Sequence, residues 1–152
     1  FGFDQLIFDE DFTVPIEYYG TYIEDKTVFN QVEKLIKETD EPLFLHTTTM
    51  QNHQPYDQGE NPEDEMGNYF QWIEHTGTDF EAFINNLKEI DEPTVVFMIG
   101  DHYPSLKGEN SVYDQLGMNG DNCGVLYEQP FIVWITAVCR KKNFQHSMHR
   151  MF

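Results

Sequence analysis

The chain reads as an α/β domain with a mainly parallel sheet flanked by helices. Three observations predict this. Residues 25–39 and 70–87 carry apolar side chains at helical spacing. Residues 43–50, 94–99 and 130–138 are apolar runs with little polar alternation. The two kinds of segment then alternate along the chain. Unbroken apolar strands suit a sheet covered on both faces, and helix–strand alternation is the pattern of parallel crossover units.

Size and composition bound the rest. At 152 residues the chain is about one domain long, and its 39% hydrophobic and 15% aromatic content is enough for a packed core. Nine Lys and Arg stand against 27 Asp and Glu, for a net charge of −18. Such a surface repels phosphate backbones, so nucleic acid is excluded as a partner. The acidity favours cations or simply keeps the protein in solution. No apolar run reaches the roughly 20 residues that span a bilayer. The start, "FGFDQLIF", has neither Met nor a basic region and is not read as a signal peptide. It reads instead as the interior of something longer. Cys123 and Cys139 lack metal-site spacing and read as free thiols.

The elements follow in order. Residues 1–24 mix aromatics with acids around Pro15 and read as loop with short strands. Asp25 suits a helix N-cap, and Val28, Phe29, Val32, Leu35 and Ile36 follow at helical intervals. Pro42 places the end of that helix within residues 39–42, since the residue before a proline avoids helical geometry. "LFLHTTTM", residues 43–50, is apolar and β-branched, hence a buried strand containing a core His46. Residues 51–67 are polar, with two prolines and two glycines, and form a long surface loop. Phe70, Ile73, Phe80, Phe83 and Leu87 mark a second helix that Gly77 interrupts. Residues 94–99 and 130–138 complete the set of buried strands, separated by the turn-rich residues 104–128.

In α/β sheets, ligands gather beyond the carboxyl ends of the strands. The first strand runs into Asn52 and His53, and the second into Asp101 and His102. Parallel strands would put these four groups on one rim. Asp101 offers a carboxylate oxygen and His102 an imidazole nitrogen, both suited to a divalent ion such as Mn²⁺ or Zn²⁺. Gly100 lets the backbone bend so that the two converge. The alternative is an Asp101 that caps a turn and a His102 packed beside Tyr103. His53 either holds a phosphate or leaving group or is a surface-loop side chain. His75 reads as a solvated helix residue. His146 and His149 stand near a basic end and read as tail. Thr47 to Thr49 are strand residues with no base spaced to activate them. The acidic run "DQGENPEDE" fails as a calcium loop, because Pro62 stands where glycine is required.

At "TTTMQNHQPY" and "PTVVFMIGDHYPSL" the chain resembles lipoteichoic acid synthase and related phosphoglycerol transferases. These are the extracellular catalytic domains of the sulfatase branch of the alkaline-phosphatase superfamily. "YFQWIEHTGTDFEAFINNL" and "YEQPFIVW" fit in the same order, and the two segments "FGFDQLIF" and "YYGTYIEDKTVFNQV" resemble the lead into that core. The resemblance runs over most of residues 1–138. It implies one divalent cation, Mn²⁺ foremost with Mg²⁺ or Zn²⁺ possible, held in part by Asp101 and His102. His53, with Asn52, would lie in the substrate pocket. The implied reaction moves glycerol phosphate from a phosphatidylglycerol-type donor to a cell-envelope glycopolymer or glycolipid. Lipid or polymer glycerol phosphate is thus the implied partner.

The family's nucleophile and an acidic metal ligand lie upstream of what is present, and no segment before residue 43 supplies them. Residues 1–152 therefore read as one incomplete unit, the carboxy-terminal portion of a sulfatase-like catalytic domain, inactive alone and with no catalytic residue of its own. The residues after Cys139 depart from the pattern. The resemblance places a membrane-anchored parent on the outer face of the cell membrane, with membrane contact only through parts absent here. Two other readings stand beside it: a sulfatase- or phosphatase-type hydrolase, and a non-catalytic module that binds glycerol phosphate or another protein.

Overall fold

The computed structural model describes residues 2–58, 64–106, 112–118 and 120–136, the last without the side chains of 120–123. Two antiparallel two-residue strands, β1 (Tyr18–Tyr19) and β2 (Tyr22–Ile23), open the ordered body. Gly20 makes their tight connection at φ +60, a left-handed conformation that glycine adopts without steric cost. Helix α1 (Asp25–Glu38) follows at once, and helix α2 (Glu65–Lys88) packs against it.

The helix pair closes over aromatic rings. Phe29 of α1 stacks on Phe83 of α2 at 5.0 Å and tilts against Phe80 at 6.0 Å. Trp72 and Leu87 are buried along the same face, Leu87 completely. Tyr19 and Tyr56 meet Trp72 edge-on at 5.8 and 5.5 Å, tying the hairpin and the following loop to α2. Edge-to-face contacts of this kind add to the stabilisation from area burial alone. The amino-terminal segment is held on α1 by polar bonds: Thr13 N–H donates to Gln31 Oε1 at 3.0 Å and Glu17 N–H to Thr27 Oγ1 at 3.0 Å.

Both predicted helices are present. Asp25 begins α1, but as its first residue rather than its cap, which is Glu24. The helix stops at Glu38, before Pro42 as expected. Helix α2 begins where the Asp64 side chain accepts the Gly67 N–H at 2.9 Å. It runs through Gly77 without a break. Its packing outweighs the roughly 1 kcal/mol that a mid-helix glycine costs relative to alanine.

The sheet differs from expectation in three ways. First, residues 43–50 form no strand. They are irregular and mostly exposed, with Phe44 at 77%, and pair with no strand among the described residues. An apolar, β-branched run becomes a strand only where another strand supplies its hydrogen bonds. His46 is accordingly exposed rather than a core residue. Second, strand β3 (Val95–Ile99) pairs with strand β4 (Phe131–Ile135) antiparallel, Val95 opposite Ile135 and Ile99 opposite Phe131. Strand direction is fixed by the partner, which an apolar run does not specify. The parallel sheet is therefore not observed among the described residues. Third, neither strand is buried: Phe97, Ile99 and Phe131 are each about two-thirds or more exposed. Helices α1 and α2 spend their apolar faces on each other instead of covering the sheet. Helix α3 (Val112–Gln115) and a 3₁₀ segment (Gly120–Tyr127) lie between β3 and β4. The tail histidines His146 and His149, Cys139, the Cys123 side chain and most of the acidic run lie outside the described residues.

Candidate functional site

Asp101 and His102 follow directly from β3. A Cβ at Gly100 would stand 3.1 Å from Gln129 Oε1, the end of a side chain beside the start of β4. Past the glycine, Asp101 Oδ1 accepts the His102 N–H at 2.9 Å, a local turn bond. His102 Nδ1 lies 2.8 Å from the Tyr103 carbonyl oxygen. A carbonyl only accepts, so that bond places the proton on Nδ1 and leaves Nε2 with its lone pair. Nε2 then faces Asp101 Oδ2 at 3.5 Å. Ligand atoms on one cation of the Zn²⁺ or Mn²⁺ size sit roughly 3.0–3.4 Å apart, given metal–ligand bonds near 2.1 Å. The pair stands slightly wider than that, with Nε2 in the tautomer that a metal ligand uses. Both side chains remain open to solvent, at 84% and 57% exposure. His102 does not pack as a core residue. Among the described residues no third His, Cys, Asp or Glu joins the pair.

Asn52 and His53 sit where the loop after α1 crosses the hairpin and α2. His53 Nδ1 lies 2.7 Å from the Gln54 carbonyl oxygen, which again leaves Nε2 as an acceptor. The Tyr22 hydroxyl lies 3.1 Å from the same Nδ1 and donates to the Gln54 carbonyl at 3.0 Å. The Gln54–Pro55 peptide bond is cis. His53 is thus an oriented side chain rather than a loose surface one.

Beneath it lies a polar network that sequence inspection overlooks. The Thr76 hydroxyl accepts from Gln51 Nε2 at 3.0 Å and from Asn52 Nδ2 at 2.8 Å, and donates to Asp25 Oδ2 at 2.7 Å. A hydroxyl has one proton and two lone pairs, and all three are used. Gln51 Oε1 completes the circuit by accepting the Asp25 N–H at 2.8 Å. Asp25 and Gln51 are fully buried. Burial raises the Asp25 carboxyl above its usual range, against the opposing bonds from Thr76 and Thr49. Thr76 and Gln51 look like ordinary helix and loop residues in the sequence, and only the meeting of three segments gives them this role.

The two motif loops do not meet on a shared strand rim, because one strand is absent and the other runs in an antiparallel pair. No described hydrogen bond, ion pair or ring contact joins Asn52 or His53 to Asp101 or His102. They are related through tyrosines. Tyr56, at the end of "NHQPY", is buried and meets Tyr69 of α2 edge-on at 5.3 Å. Tyr103, beside His102, meets Tyr113 at 6.3 Å, and the Tyr113 hydroxyl donates to the Pro104 carbonyl. Burial, and then the neighbouring Tyr103, pushes the Tyr69 hydroxyl up. Burial and Tyr69, followed by Tyr113, do the same for Tyr56. The first motif thus leans on the first turns of α2 through Tyr56 and Tyr69.

The sequence matches the Sulfatase family over residues 1–150. The chain belongs to the sulfatase family. It is 26% identical to a candidate cyclic β-1,2-glucan modification protein of Rhizobium meliloti (strain 1021), over 94% of this chain and 26% of that one. It is 29% identical to lipoteichoic acid synthase 2 of Bacillus subtilis (strain 168), over 60% of this chain and 16% of that one. The chain thus spans about a quarter and about a sixth of the lengths of these relatives. No solved structure matches it. Membership implies an alkaline-phosphatase-like α/β fold, of which this sulfatase chain carries helices and two small antiparallel sheets. Among the described residues no helix is long and apolar enough to cross a membrane.

Sulfatase-family enzymes typically use a divalent metal, and Asp101 with His102 presents two donor atoms 3.5 Å apart with no third among the described residues. A second group of potential ligands, Glu24, His75 and Asp79, was not expected. His75 reads as a solvated helix residue in the sequence, yet it stacks on Tyr19 at 4.4 Å and pairs with Glu24. Its i,i+4 relation to Asp79 was visible, but the partner Glu24, 51 positions away, was not.

Proposed function

We propose that this chain is the carboxy-terminal portion of a catalytic domain that transfers phosphoglycerol from a phosphatidylglycerol-type lipid to a cell-envelope glycopolymer or glycolipid. The observation that carries the reading is the pairing of His102 Nε2 with Asp101 Oδ2 in the "GDHYPSL" segment, downstream of an oriented His53 in "NHQPY". The names of both relatives, one a lipoteichoic acid synthase and one tied to glucan modification, support a cell-envelope polymer as acceptor. They also support a membrane-anchored parent whose catalytic part faces outward.

Asp101 and His102 would hold a divalent cation, Mn²⁺ foremost, with further ligands from the rest of the parent domain. Such a cation neutralises phosphate oxygens and lowers the pKa of an attacking hydroxyl. The chain's own contribution is positional. The Tyr103 carbonyl keeps the His102 proton on Nδ1, and the Gln54 carbonyl does the same for His53. His53 Nε2 is then available to accept a glycerol hydroxyl, or, once protonated, to pair with a phosphate oxygen. The nucleophile belongs to the parent, so residues 1–152 alone turn over negligibly.

The family match itself favours a second reading, hydrolysis of a sulfate or phosphate ester with water as acceptor. Intact parent enzyme with phosphatidylglycerol vesicles and Mn²⁺ separates the two. Transfer predicts diacylglycerol release with glycerol phosphate on an acceptor, abolished by Asp101→Ala. Release of free glycerol phosphate alone, or unchanged transfer by Asp101→Ala, sinks the proposal.

A further inference from the structure

The hairpin and the middle of α2 bring together three side chains that the proposed reaction does not use. Glu24 follows β2 and caps α1, while His75 and Asp79 stand one turn apart on α2. His75 Nε2 lies 2.8 Å from Glu24 Oε1 and 3.4 Å from Asp79 Oδ2. The three ligand atoms lie within 4.8 Å of one another. The side chains of Glu24 and Asp79 are only 13% and 11% exposed, and His75 is open to solvent at 32%.

The hydrogen bonding here is incomplete. One Nε2 proton serves one oxygen, and the 2.8 Å bond gives it to Glu24. Asp79 Oδ2 is left as a buried carboxylate oxygen with no hydrogen-bond donor. Two carboxylates, Glu24 and Asp79, therefore face one imidazole. Lys26 acts to lower the Asp79 carboxyl through its charge and a backbone hydrogen bond, and its Nζ lies 3.8 Å from Glu17. Desolvation, opposed by His75 and reinforced by Glu24, raises the Asp79 carboxyl. A buried carboxylate oxygen without a donor is costly, and coordination to a cation is one way to satisfy it.

We propose that Glu24, His75 and Asp79 bind a transition-metal dication of the Zn²⁺ type. The separations of 2.8 and 3.4 Å bracket the roughly 3.0–3.4 Å expected between ligands on such an ion. An i,i+4 pair on a helix is a common way to present two ligands to one metal. The imidazole gives up its Nε2 proton, and the ion takes its place between the two carboxylates. Stacking on Tyr19 at 17° already fixes the ring plane. Imidazole with carboxylates binds Zn²⁺ ahead of Mn²⁺ on the general affinity order. The position links β2, the start of α1 and the middle of α2, so occupancy would lock the hairpin to both helices.

Zn²⁺ titration of the intact chain by calorimetry, alongside thermal unfolding, tests this. His75→Gln and Asp79→Asn should each weaken the tight Zn²⁺ step at least tenfold. The rise in Tm on adding Zn²⁺ should vanish in both. The double variant D101A/H102A should retain that step and that rise. Wild-type Zn²⁺ affinity in H75Q and D79N overturns the site. Loss of the tight step in D101A/H102A alone also overturns it, by assigning the ion to the β3 loop. Should H75Q fail to fold, by far-ultraviolet circular dichroism, the near-isosteric E24Q and D79N carry the same test.

Discussion

The helix pair and the β3–β4 ribbon both carry apolar runs but reach opposite ends. In the first, Trp72, Phe83 and Leu87 are buried, and polar side chains as interior as Asp25 and Gln51 have partners. In the second, Phe97, Ile99, Phe131 and Ile135 line one face of the ribbon and stay more than half exposed. Contiguous apolar faces of this kind belong against other protein. The helical half thus buries its own apolar face, whereas the ribbon is left uncovered among the described residues. A chain that spans about a quarter of a longer relative suits that difference.

The largest test of the contrast is Leu87→Ala. Leu87 is 0% exposed, and the truncation should cost about 2–5 kcal/mol in urea-unfolding free energy. A loss below 1 kcal/mol would deny that the helix pair holds the core. Next comes Thr76→Val, which keeps the shape but strands the Gln51 and Asn52 donors and the Asp25 carboxylate. A loss of roughly 1–3 kcal/mol is expected, largely recovered in Thr76→Ser. Equal stability of the Val and Ser variants would show that shape, not the hydroxyl, matters.

A smaller effect comes from pH. The Asp25 carboxyl is raised by burial, so the folded state binds a proton more readily than the unfolded chain. That contribution is fully present below the ordinary carboxyl value of 3.8 and is lost as pH rises through the raised folded value. Stability should therefore fall across that window in the wild type. Asp25→Asn should flatten the slope, and the raised Asp79 should leave a residual trend of the same sign. Unfolding midpoints collected from pH 4 to 7 decide it, and a wild-type slope that rises with pH would contradict the assignment. Smallest is Phe97→Lys on the open face. Its effect on unfolding should stay within about 0.5 kcal/mol, while self-association by sedimentation should drop. A loss comparable to Leu87→Ala would mean that the ribbon is covered after all.

Part of the site was legible because it is local. Gly100, Asp101 and His102 are adjacent in the chain, and their convergence needs only a turn. His53 was legible as a residue type in a motif, though not its orientation by Tyr22 from 31 positions earlier. The shared rim failed because it assumed a strand direction that no local pattern encodes. His75 was misread for a related reason: its exposed-looking helix position gains meaning only when Glu24 and Tyr19 arrive from the hairpin.

Sequence periodicity by itself determined the two helices, since the 3.6-residue spacing of apolar groups and the cap and proline signals act within one segment. It also determined the order of the motifs and hence the family. Tertiary structure alone decided which apolar runs pair, in which direction, and which faces stay bare. It alone decided that Thr76, Gln51 and Asp25 close a buried circuit, and that Glu24, His75 and Asp79 meet. These outcomes depend on contacts between distant segments, whose energies are fixed by the partner that each segment finds rather than by its own residues.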